Sequence, residues 1–260
     1  MDAAGHVPRK RFSQNFLVDD SIIHAIVRAI GPRAGDNMVE IGPGLGALTV
    51  PLAAVVRPLH VVEIDRDLIA RLREQFPDGR VVIHEGNALA FDFASLGSRL
   101  RVIGNLPYHI STPILFHLTA SAAQLQDIHV MLQKEVVDRM VAMAGSSQYG
   151  RLSVMLQYRF TLEKVLDVPP ACFRPAPRVD SSVVRMIPTP DSPRARDETL
   201  FGRLVAAAFA QRRKTLRNTL KTYLGAAEFE KLGIASSARA QELPVSSFLK
   251  MADYLAARSA

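Results

Sequence analysis

The sequence predicts an α/β fold: a largely parallel sheet with helices on both faces, followed by a small all-helical domain. Three observations carry that prediction. Short apolar runs alternate with segments of helical spacing through the first two-thirds of the 260-residue chain, and strands that alternate with helices pair in parallel and are buried on both faces. A proline-rich joint, Pro188-Thr189-Pro190 with Pro193, then interrupts both kinds of element. Beyond it, leucine and alanine recur at helical spacing with few β-branched residues. The joint sets the expected domains at 1–188 and 189–260.

The expected strands are Met38–Ile41, His60–Ile64, Val81–His84, Arg101–Gly104 and Ile128–Leu132, each short, apolar and bounded by polar or turn residues. Between them, Asp20–Ile30, Ala47–Val55, Asp67–Gln75, Pro113–Ala120 and Glu135–Met143 carry apolar residues at helical intervals. Two later β-like runs, Ser153–Phe160 and Ser181–Ile187, are expected to close the sheet as an antiparallel pair.

Composition narrows the class. With 48% hydrophobic residues the chain can bury one large core and a small appendage. No apolar stretch reaches membrane-spanning length and Met1–Gln14 is charged, so a soluble cytoplasmic protein with no membrane partner is expected. Cys172 is the single cysteine, which excludes an intrachain disulfide and a thiolate metal site. The seven histidines show no ligand spacing, so no metal is expected, and no Gly-x-Ser-x-Gly element suggests a hydrolase. Of the net charge of +7, residues 189–260 contribute 12 basic against 7 acidic side chains, an excess that points to a polyanionic partner.

The first strand leads into Glu40-Ile41-Gly42-Pro43-Gly44-Leu45-Gly46. Glycines there permit a tight turn and let a ligand approach the backbone at a helix N-terminus. Glu63, 21 residues after Gly42, ends the second strand where a carboxylate can accept from ribose hydroxyls. Asn87, after the third strand, can meet an adenine amine. A nicotinamide enzyme also fits this turn, but Glu40 beside it suits an ammonium and repels a pyrophosphate.

Asn105-Leu106-Pro107-Tyr108 follows the fourth strand. It offers an amide oxygen, a carbonyl and an aromatic face at the end of the sheet where ligands bind. An exocyclic amine on a flat ring needs that set: two acceptors for the amine hydrogens and a surface for stacking. Phe173, ahead of Pro175 and Pro177, is expected to stack on the ring's other face. Core filling is the alternative for both aromatics.

Together with Gln14–Leu17, Gln133–Val136, Tyr149–Leu152 and Phe173–Ser181, these motifs resemble the KsgA/RsmA family of small-subunit ribosomal RNA adenine dimethyltransferases, over residues 9 to about 255. The resemblance implies a Rossmann-like seven-stranded methyltransferase sheet with S-adenosylmethionine as cofactor. It implies a cofactor site of Asn15, Leu17, Gly42, Gly44, Glu63, Asn87 and Asn105, and catalytic roles for Asn105, Pro107, Tyr108 and Phe173. The implied substrate is a pair of adjacent adenines in 16S rRNA within the small (30S) subunit, modified by a monomer that also serves in subunit assembly. The related Erm class, acting on 23S rRNA, and an assembly factor with secondary methylation are the competing readings. Where the family usually carries aspartate this chain has Asn87.

Basic residues concentrate at Arg9-Lys10-Arg11 and over Arg203–Lys221, a run without an acidic residue. Within it Arg212, Arg213, Lys214, Arg217 and Lys221 are the expected RNA contacts. Arg213, Arg217 and Lys221 are spaced to share one helix face, with Leu216, Leu220 and Leu224 packing inward.

Overall fold

The computed structural model describes residues 15–259; the Arg9–Arg11 cluster and Gln14 lie outside them. In chain order the elements are β1 (Phe16–Leu17), α1 (Asp20–Ile30), β2 (Met38–Ile41), α2 (Thr49–Ala53), β3 (Leu59–Glu63), α3 (Arg66–Gln75), β4 (Val81–Glu85), β5 (Leu100–Asn105), α4 (Ser111–Ala120), β6 (Leu125–Gln133) and α5 (Lys134–Val141). They continue with α6 (Arg151–Gln157), β7 (Phe160–Val168), β8 (Phe173–Arg174), β9 (Ser181–Pro188), α7 (Glu198–Ala208), α8 (Leu216–Thr219), α9 (Ala226–Leu232) and α10 (Val245–Ser259).

Seven strands form one sheet in the order β4-β3-β2-β5-β6-β9-β7, with β1 and β8 as a separate antiparallel pair. From β4 to β6 every pairing is parallel, and β9 runs antiparallel to β6. Every residue of β2 is buried, as expected of a parallel strand covered on both faces. The chain winds from β2 outward through β3 and β4, then returns to lay β5 on the other side of β2. That reversal is a topological switch point, and it opens a crevice at the carboxyl ends of β2 and β5.

Local chemistry explains the helix feeding this sheet. Asp19 caps α1 by accepting from the Ile22 N–H (3.1 Å), Gly31 ends it in the left-handed region, and Ile23, Ile26 and Ile30 make its buried stripe. Arg101, near the start of the buried strand β5, is fully paired. It binds both carboxylate oxygens of Asp127 (2.9 Å each) and Asp36 (2.6 Å), and donates to the carbonyl of Ile30 (2.6 Å). This bidentate arrangement ties the end of α1 to the base of the sheet.

Two expectations are corrected. Ser153–Gln157 is helical, in α6, and the edge strand starts at Phe160. The Ser153 hydroxyl accepts from Gly150 N–H (3.0 Å) and donates to the Arg139 carbonyl (2.5 Å), fixing a helix start that the alternating pattern hides. The chain also divides into compact units that differ from a single cut at 188: residues 1–137 with 162–188, and 138–161 with 189–260. The insertion of 138–161 follows from packing, because Ala142, Tyr149, Val154 and Tyr158 join Phe201, Leu204, Leu216 and Phe248 in the second core.

Candidate active site

At the switch point lies a cleft of about 290 Å3 whose walls include Asn15, Leu17, Gly42, Gly44, Glu63, Asn87, Asn105, Pro107 and Tyr108. Residues drawn from five separate stretches of sequence thus converge, because β2, β3, β4 and β5 end side by side and β1 crosses nearby. Gly42 has φ +67° and nothing within 4 Å of where a Cβ would stand, so its backbone is open to the cleft and its conformation disfavours any other residue.

The carboxylates are arranged by burial. Glu40 is 2% exposed and accepts from the Thr49 hydroxyl (2.6 Å). Burial, opposed by the Thr49 bond and reinforced by the charge of Glu63, pushes its pKa up to about 7. Glu63 accepts from the backbone N–H groups of Ile64 (2.8 Å) and Asp65 (2.9 Å). Burial raises its pKa and those hydrogen bonds oppose the rise.

The Asn105 amide is oriented unambiguously. Its Nδ2 donates to the Asn15 carbonyl (3.0 Å), and since a carbonyl accepts only, Oδ1 is left as an acceptor. Leu106 is buried and Pro107 offers its carbonyl at the start of a single 3-10 turn, Tyr108–Ile110. That carbonyl accepts from the Ile110 N–H (3.1 Å) and the Ser111 hydroxyl (3.2 Å), so an incoming amine takes the place of the Ser111 hydroxyl, which can rotate away. The Tyr108 hydroxyl lies 2.8 Å from Ser181 Oγ, and burial raises its pKa. Asn87 Oδ1 accepts from Leu89 N–H (3.0 Å), so its oxygen already serves a local turn.

Two site expectations do not hold. Phe173 is 1% exposed and belongs to the core beneath the sheet, where its β8 backbone pairs with Leu17; in this conformation its ring offers no face to a base. The basic run is not one helix. Only Arg217 lies in α8, with Arg213 in the turn before and Lys221 in the turn after. The break has a physical cause: Leu216 N–H bonds Ala238 O (2.8 Å) and Arg217 N–H bonds Ser236 O (3.0 Å), pulling the chain out of helix at Thr215. Arg213, Lys214, Arg217 and Lys221 are exposed, and Leu216, Leu220 and Leu224 are buried. Arg212 is committed within its own unit to the Ser147 carbonyl and Gln241.

Sequence reasoning missed Phe16, Ile64 and Leu68 on the cleft wall. Ile64 is 49% exposed, an apolar side chain standing just past Glu63. Ile64 ends the expected strand His60–Ile64, whereas β3 stops at Glu63 and leaves that side chain on the cleft wall. Nothing in the sequence marks Ser181 or the Asn15 carbonyl. Among the described residues no group of three or more His, Cys, Asp or Glu could hold a metal ion, and no helix is long and apolar enough to cross a membrane.

The donor and acceptor set fits a nucleoside bearing a cationic amino-acid tail. Glu40 suits an ammonium, Glu63 ribose hydroxyls, and the half-exposed Ile64 an adenine face. The chain is 59% identical over 255 residues to ribosomal RNA small subunit methyltransferase A of Aromatoleum aromaticum, covering 98% of this chain and 96% of the relative. It is 58% identical to the protein of the same name from Thiobacillus denitrificans, covering 97% and 100%. Among solved structures, a dimethyladenosine transferase from Plasmodium falciparum superposes with a TM-score of 0.79 at 25% identity, covering 91% of this chain and 95% of that one. The 23S rRNA methyltransferase ErmE shares the fold (TM-score 0.72) at 23% identity, over 93% and 100%. With the family model for ribosomal RNA adenine dimethylase matching residues 5–257, the chain belongs to that family.

Proposed function

We propose that this enzyme transfers methyl groups from S-adenosylmethionine to N6 of two adjacent adenines near the 3′ end of 16S rRNA in the small (30S) subunit, giving N6,N6-dimethyladenosine. It acts as a cytoplasmic monomer and also serves in subunit assembly. The orientation of Asn105 carries the reading: its amide hydrogens face Asn15 O, so its oxygen is available to an incoming amine. The two relatives above, both named for the small subunit, favour that substrate over the large-subunit alternative.

An adenine amine is a poor nucleophile because its lone pair is delocalised into the ring. Asn105 Oδ1 and the Pro107 carbonyl accept its two hydrogens, drawing the nitrogen toward a tetrahedral shape with its lone pair aimed into the cleft. Tyr108 stacks on the flipped base and fixes its plane. Glu63 holds the cofactor's ribose, Asn87 its adenine, Glu40 its ammonium, and the Gly42–Gly44 turn lets the backbone approach. Bound there, S-adenosylmethionine supplies a methyl group on an electrophilic sulfonium. No dedicated base is required, since the amine proton becomes acidic only as the new N–C bond forms. Positioning supplies the rate. The exposed cations Arg213, Lys214, Arg217 and Lys221 contact RNA phosphates, which sets register while the cleft selects the base.

The test offers unmethylated small subunits, large subunits and free rRNA with labelled cofactor, and maps the product by mass spectrometry. Dimethyladenosine confined to the 3′-terminal region of small-subunit RNA is expected. Label in the large subunit, or cofactor binding without transfer, would overturn the reading.

A further inference from the structure

Tyr108 lines the cleft, yet the group that orients it belongs to a strand arriving more than seventy residues later. Ser181 opens β9, is 1% exposed, and pairs in register with Gln133, the last residue of β6. Asn105 pairs with Met131 of that same strand, so Ser181 stands at the end of the sheet where the cleft opens. Its hydroxyl is 2.8 Å from the Tyr108 hydroxyl.

Both neighbours of Ser181 are anchored. Asp180 O accepts from Lys134 N–H at 2.9 Å, and the Ser182 hydroxyl donates to the Asp167 carboxylate. Ser181 is therefore a fixed point. Tyr108 is not fixed by its own backbone alone: it stands in a single 3-10 turn, and two side-chain torsions set the plane of its ring. A stacking face is useful only if that plane is held, and the hydroxyl at the far tip is the side chain's one polar handle.

We propose that Ser181 is a positioning residue for methyl transfer: its hydroxyl holds the Tyr108 ring in the plane on which the target adenine stacks. This rests on the stacking role assigned to Tyr108 above. Ser181 is not among the residues lining the cleft, so it acts through Tyr108. Burial raises the Tyr108 pKa, which favours the phenol O–H that shares the hydrogen bond with Ser181. Held this way, the ring favours the strictest alignment at the second methylation, when one amine hydrogen has already been replaced by a methyl group.

A double-mutant cycle separates positioning from mere folding. Ser181→Ala and Tyr108→Phe are each expected to lower kcat about tenfold, ~1.4 kcal/mol of transition-state stabilisation. Cofactor Kd should stay within about twofold of wild type, and N6-monomethyladenosine should accumulate. The double variant should lose no more than the weaker single variant, because both changes delete one bond. Losses that multiply to about a hundredfold would show that Ser181 acts independently of Tyr108 and would overturn the proposal. Tyr108→Phe keeps the ring and removes only the hydroxyl, so it carries the test even if Ser181→Ala folds poorly; full kcat in that variant refutes the assignment. Wild-type protein transferring no methyl to adenine would instead refute the functional reading, and this assignment with it.

Discussion

Replacing Gly104 with alanine should damage both halves of the site at once. Gly104 sits in β5 directly before Asn105, facing Ile41, the residue before the Gly42 turn. A Cβ built on it falls 2.7 Å from the Ile41 carbonyl oxygen and 3.0 Å from Leu106 Cδ2. Non-bonded heavy atoms rest about 3.5 Å apart or more, so β2 and β5 must separate by roughly 0.5–1 Å. The obstructing oxygen is backbone and cannot rotate away. Overpacking of this kind costs about 1–3 kcal/mol, which in a protein of this size lowers Tm by about 3–10 °C. The larger effect is functional. A displacement near 1 Å at a positioned group costs on the order of 100-fold in rate, and here it reaches Asn105 and Gly42 together. The assays are thermal unfolding, cofactor titration and single-turnover methyl transfer on folded Gly104→Ala protein. A variant that melts several degrees lower yet keeps kcat within about threefold of wild type would refute the link between strand spacing and catalysis.

Other outcomes follow from the same structure. Asn105→Ala should lower kcat by about 10²–10³, the usual cost of removing one preorganised hydrogen-bonding partner, measured at saturating cofactor. Glu40, with its pKa near 7 in the free protein, must ionise to meet an ammonium. Cofactor affinity should therefore fall as pH drops below 7, by at most about tenfold per unit, and Glu40→Gln should abolish that slope in calorimetric titrations. His129 is 2% exposed, has neither ring nitrogen hydrogen-bonded among the described residues, and has its pKa lowered to about 4, foremost by burial. The unfolded chain then binds the extra proton between pH 6.5 and 4, so this group's contribution to stability declines as pH falls through that window. Glu40 acts with the opposite sign between 4.5 and 7, and denaturation of Glu40→Gln should unmask the acid-sensitive slope. Phe173→Ala should cost about 3–5 kcal/mol as a core cavity, with kcat falling only as the folded fraction falls; selective loss of kcat in stably folded protein would restore a stacking role.

What the sequence made legible was whatever depends on local pattern. Met38–Ile41 and Asp20–Ile30 have the residue bounds that periodicity predicts, because burial on two faces and capping by Asp19 and Gly31 leave short-range marks. The glycine turn and Asn105–Tyr108 could be placed at strand ends, and parallel topology brings those ends together. Long-range packing was not legible. Nothing local says that Phe173 points into a core, that Ala238 and Ser236 draw Leu216 and Arg217 out of a longer helix, or that 138–161 packs with the C-terminal segment. The Ser153 error has the same origin, since an alternating run is read as strand until the hydrogen bonds to Gly150 and Arg139 decide otherwise.

In the proposed reaction the Asn105 oxygen and the Pro107 carbonyl receive the target amine while Tyr108 stacks on its ring. A crystal structure with S-adenosylhomocysteine and a short RNA carrying the target adenines tests it most directly. N6 is expected within hydrogen-bonding distance of both oxygens, with Asn105 Nδ2 still on the Asn15 carbonyl and the base parallel to Tyr108. An adenine seated elsewhere, or an Asn105 amide turned to present nitrogen to N6, would contradict it.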